Sequence, residues 1–99
     1  MLKSAQRGRP VHRETAETIA AQGLAFLTAD ARRLQGFLAV TGIAPADLRT
    51  RLGSREVLAA ALSYLAADES LLLTFAADHH LAPVAIAAAL ARLDRADAP

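Results

Sequence analysis

Alanine and leucine dominate this chain: 25 of one and 16 of the other among 99 residues, against four valines and three isoleucines. Both head the helix scale because they lose little side-chain freedom in a helix, whereas strands favour β-branched and aromatic residues. The composition therefore predicts an all-α fold and excludes a β-rich one. With only four aromatics the core must be aliphatic. A chain of this size buries roughly 64% of its unfolded surface, enough for a modest core without staples. The absence of cysteine excludes a disulfide scaffold and a Cys-based zinc or redox site, and predicts a cytoplasmic protein. Leu34 to Ala46 is free of charge for 13 residues, no stretch is longer, and it contains Gly42 and Pro45. A spanning helix needs about 18, so no membrane role is expected.

The net charge of +1 conceals an asymmetry. Residues 1–13 carry Lys3, Arg7, Arg9 and Arg13 with no acid, whereas the remainder sums to −3. With Gly8, Pro10, little apolar content and no period, residues 1–13 are expected to form a disordered basic arm. They lack the apolar stretch of a secretory signal. Residues 14–96 then form a single helical domain.

Periodicity divides that domain into five or six short helices. From about Glu14 to Ala29, Ile19, Gly23, Leu24, Phe26 and Leu27 gather on one side, with Glu14 and Glu17 at the positive end of the helix dipole. Asp30 reads as the N-cap of a second helix with Leu34, Phe37 and Leu38 on one face. Gly42 should end it in a left-handed C′ conformation, with Ile43 folded back on Leu38 in a Schellman motif. Pro45 opens a third helix at its first position, carrying Leu48 and Leu52. Ser54 caps a fourth with Leu58, Ala61, Leu62 and Leu65. Asp68 caps a fifth with Leu72, Phe75 and Ala76, and Pro83 opens a sixth with Ile86, Leu90 and Leu93.

A shift of 38 residues sets 16–52 on 54–90 with 11 identities in 37 positions. The informative matches are Asp30 with Asp68, Phe37 with Phe75 and Pro45 with Pro83, because each type is scarce here and fills an equivalent cap, core or helix-opening position. The chain thus reads as two related three-helix units packed face to face. Their differences lie in polarity. Arg33 and Gln35 become Leu71 and Leu73, while Asp47, Thr50 and Arg51 become Ala85, Ala88 and Ala89. Consecutive leucines 71–73 point in three directions around a helix, so a single stripe does not account for them. Either the second unit is the buried centre of the domain, or Leu71, Leu73, Ala85, Ala88 and Ala89 present a patch to a partner.

Arg7-Gly8-Arg9-Pro10 resembles the core of an AT-hook. Gly lets such a chain lie deep in a narrow A·T minor groove while extended Arg side chains meet its negative potential. Asp78-His79-His80 does not read as a metal site, since adjacent helical residues diverge by about 100°. The histidines fall at a helix C-terminus, where they suit the dipole and His80 takes the place of the C′ glycine. Asp68-Glu69 is a cap and a first-turn acid. No phosphate loop, nucleophile elbow or zinc spacing is present, so no catalytic, cofactor-binding or metal-binding residues are assigned and no enzyme is expected.

The strings Leu34…Phe37-Leu38…Thr41-Gly42-Ile43…Pro45…Asp47-Leu48-Arg49 and Val57-Leu58…Leu62…Tyr64-Leu65…Asp68-Glu69…Leu71-Leu72…Phe75 resemble a family of small bacterial proteins known as domain of unknown function 3572. The likeness covers about residues 14–80. It implies an all-helical protein, assigns no activity and carries over no functional residues. The expectation is a non-enzymatic protein-interaction module that self-associates or binds a protein partner. The alternative is a nucleic-acid-associated protein acting through Arg7, Gly8, Arg9 and Pro10.

Overall fold

A computed structural model describes residues 13–95. Within them run six helices: α1 (Arg13–Thr28), α2 (Ala31–Thr41), α3 (Pro45–Thr50), α4 (Arg55–Ala66), α5 (Glu69–Asp78) and α6 (Pro83–Arg95). No strand occurs among the described residues. The fold is all-α, as the composition demands. The first helix begins at Arg13, the last residue expected to belong to the basic arm.

Local chemistry starts each helix. The Asp30 carboxylate accepts hydrogen bonds from the Arg32 and Arg33 N–H groups at 2.9 and 3.1 Å. Asp68 accepts one from Leu71 at 3.2 Å, and the Ser54 hydroxyl accepts one from Val57 at 3.2 Å. Such caps satisfy donors that the first turn of a helix leaves without partners. Prolines 45 and 83 open α3 and α6, where a missing N–H costs nothing.

The helix ends depart from expectation. Gly42 is left-handed at φ 75°, and its N–H donates to the Leu38 carbonyl at 2.8 Å, which is the simpler αL ending and not a Schellman motif. The Schellman bonds occur at the end of α5. There the Leu81 N–H reaches the Ala76 carbonyl at 2.9 Å and the His80 N–H reaches Ala77 at 3.4 Å. His80 occupies the left-handed position at φ 54°, the one described non-glycine residue with positive φ.

The centre of the domain is formed by α1, α4 and α6, each packed on the other two. Ala16, Ile19, Ala20, Leu24 and Leu27 make the inward stripe of α1, and Val57, Leu58, Ala61, Leu62 and Leu65 that of α4. Gly23 lets these helices come close. A Cβ there would stand 3.1 Å from Leu65 Cδ1 and 3.2 Å from Leu62 Cδ2. From α6, Ile86, Ala89 and Leu93 close the core.

Two ring pairs tie the halves together. Phe26 meets Phe75 at 5.4 Å between centroids, and Phe37 meets Tyr64 edge-on at 5.6 Å. The 38-residue shift aligns Phe26 with Tyr64 and Phe37 with Phe75, so each pair takes one ring from each half. The third elements do not correspond in length: α3 has six residues and α6 thirteen.

Candidate functional site

The sequence left two fates open for the apolar surplus of 54–90, and the structure spends most of it on the core. Ala89 is fully buried and is withdrawn from any partner surface, because α6 lays it across α1 and α4. Leu71 is half-buried and packs on the core, and Ala85 and Ala88 are half-buried. Of the five residues expected to form a patch, only Leu73 stands out, at 50% exposure. Arg7, Gly8, Arg9 and Pro10 lie outside the described residues.

Exposed large apolar side chains occur in both halves, Val40 and Leu52 in the first and Leu73 and Val84 in the second, but the first half also forms an apolar groove. A groove of about 400 Å³ runs between α2 and α3, lined by Thr28, Leu34, Leu38, Pro45, Leu48, Arg49 and Leu52. Its construction follows from local signals. The Asp30 cap sets the register of α2, which places Leu34 and Leu38 four apart on one face. Gly42 reverses the chain and Pro45 restarts it as α3. Leu48 turns inward to form the groove floor and is buried. Leu52 was expected on the third helix beside Leu48, but α3 stops at Thr50. The Arg51 N–H closes back on the Asp47 and Leu48 carbonyls, and the Thr50 hydroxyl donates to Asp47 at 3.1 Å. Leu52 therefore leaves the helical register and stands 46% exposed at the groove edge.

Arg49 is the single charged residue in the lining. No acid shares the lining with it. Arg51, by contrast, pairs with Glu56 at 3.9 Å in an exposed contact that contributes little stability. Thr28 is the other polar group, and its hydroxyl donates to the Ala25 carbonyl at 3.2 Å. The groove was missed in the sequence because it depends on where α3 ends. The nearest signal was Gly53-Ser54, which bounds the room left for a helix after Pro45.

Elsewhere, cationic and aromatic groups serve packing. The Arg33 guanidinium lies 3.9 Å over the Phe26 ring and donates to the Phe26 carbonyl at 3.2 Å. Phe26 meets Phe75, and Phe75 meets His79 at 4.8 Å, so the column joins α1, α2 and α5. His79 thus has a structural place beside Phe75 at the end of α5. Among the described residues no group of three His, Cys, Asp or Glu side chains is arranged to hold a metal ion. No single described helix is long and apolar enough to cross a membrane.

A family model described as protein of unknown function (DUF3572) matches residues 13–96. The chain belongs to this family. The match takes in the six described helices and the groove between α2 and α3. No curated protein and no solved structure matches the chain.

Proposed function

We propose that this DUF3572 protein is a non-enzymatic protein-interaction module of the cytoplasm and that its partner docks in the groove between α2 and α3. The observation that carries this reading is the groove itself, about 400 Å³ of mainly leucine-lined space beside a closed core. Grooves between helices receive the apolar face of an amphipathic segment, which loses its own hydration on entry. The lining offers one guanidinium and one hydroxyl and no paired acid and base, a set suited to holding a partner and poorly suited to proton transfer.

Leu52→Glu tests the site, because it places a charge on the groove edge at a residue too exposed to support the core. Sedimentation velocity reports association with a second copy, and affinity capture from the source cell reports a different protein. Leu52→Glu should lose whichever association the wild type shows, while Leu73→Glu on α5 retains it. Loss through Leu73→Glu alone would move the interface to α5 and end the groove reading. The second reading, binding to A·T-rich DNA, is motivated by Arg7-Gly8-Arg9-Pro10. Low-salt titration with A·T-rich and G·C-rich duplexes checks it, and equal affinity for the two would remove it.

A further inference from the structure

We infer that the occupant of the α2–α3 groove is an acidic amphipathic helix of a partner protein, with leucine-like side chains on Leu34, Leu38 and Leu48 and a carboxylate on Arg49. The inference rests on the docking reading above and adds the partner's chemistry to it.

Three observations lead there. First, the groove is open: Pro45, Arg49 and Leu52 are all exposed, so a small free ligand would keep much of its surface in water. Small-molecule pockets bury most of their ligand, whereas a groove of this form is completed by the body of a larger partner. Second, Leu34 and Leu38 repeat at helical spacing along one wall, and Pro45 and Leu48 face them from α3. Such a trough takes the i, i+3, i+4 side chains of a helix laid into it.

Third, the charge selects among helices. Arg49 lines the groove and no acid shares the lining. An apolar partner would strip water from the guanidinium and leave it uncompensated, which is costly. A carboxylate at the partner's edge restores a charge-assisted pair. The same charge disfavours this chain's own N-terminal segment, because Lys3, Arg7 and Arg9 share the sign of Arg49.

The test uses the full chain, labelled with ¹⁵N, and three synthetic peptides of about 15 residues, long enough to form helix on binding. They share one leucine face and differ in bearing Glu, Gln or Lys on the polar face. The Glu peptide should shift the backbone amides of residues 34–52 and bind up to about fivefold tighter than the Gln peptide, with the Lys peptide weakest. In Arg49→Gln, an exposed substitution, the Glu peptide should fall to the affinity of the Gln peptide. Equal binding of the three peptides, or no change in Arg49→Gln, overturns the acidic partner while leaving the groove as a docking site. Failure of all three to move residues 34–52 removes the docking reading as well. Shifts at those amides on raising protein concentration alone would assign the groove to a second copy and overturn the inference.

Discussion

Residues 16–52 and 54–90 share an aspartate cap on their second helix and a proline at the start of their third, yet they finish differently. In the second half the third element runs for thirteen residues and buries Ile86, Ala89 and Leu93 against both α1 and α4. In the first half it runs for six and buries Leu48. The richer apolar content of 54–90 is what allows α6 to serve as a third wall of the core. The polar residues of 16–52, with Asp47, Arg49 and Thr50 on α3, hold that helix near the surface. The half with fewer apolar residues is consequently the one with an open apolar groove. A count of apolar residues therefore does not locate the groove, since α6 buries much of the surplus even though Leu73 and Val84 stay exposed.

The comparison is tested most severely at the two phenylalanines that the 38-residue shift aligns. Both Phe37 and Phe75 are fully buried. Phe75 touches Phe26 and His79, and Phe37 touches Tyr64. Each Phe→Ala change should cost about 3–5 kcal/mol in chemical denaturation, with Phe75→Ala at the upper end. Equal costs would mean that the extra ring contacts of Phe75 add nothing.

The two left-handed residues set opposite expectations. Gly42→Ala should destabilise by about 1–2 kcal/mol because alanine acquires a Cβ clash at φ 75°. His80→Gly should stabilise by about 1 kcal/mol by removing the same penalty at φ 54°. A loss of stability in His80→Gly would show that the imidazole contributes more than its backbone strain costs. The smallest effects fall at the caps. Asp30→Ala and Asp68→Ala should each cost about 1 kcal/mol, with Asp30 the more sensitive because its carboxylate accepts two N–H groups and that of Asp68 one. The difference in thermal midpoint between the two variants measures the second bond.

Much of the fold was legible because its signals are local. Asp30, Ser54 and Asp68 cap helices, and Pro45 and Pro83 open them, through chemistry that spans three or four residues. The site was less legible, for two physical reasons. Whether Ala85, Ala88 and Ala89 are covered depends on α6 lying across α1 and α4, a long-range arrangement that periodicity does not encode. Whether Leu52 is helical turns on a boundary shift of two residues, and helix ends are the least determined part of a local reading. Of the two aligned helix ends, the Schellman motif forms at the second and not at Gly42. Gly42 carries the obvious residue for it, yet the backbone bonds form at His80, where Leu81 follows and reaches back to Ala76.

The crossed ring pairs bear on how the molecule loses its structure. Phe26 has its partner ring in the second half and Tyr64 has its in the first, so both the Phe26–Phe75 and the Phe37–Tyr64 contacts are lost if either half melts. Unfolding should then be a single cooperative transition, with no stable half-domain on the way. A chain nicked at the exposed Leu52–Gly53 turn should behave as two fragments that are unfolded apart and fold on mixing, each supplying one ring to either pair.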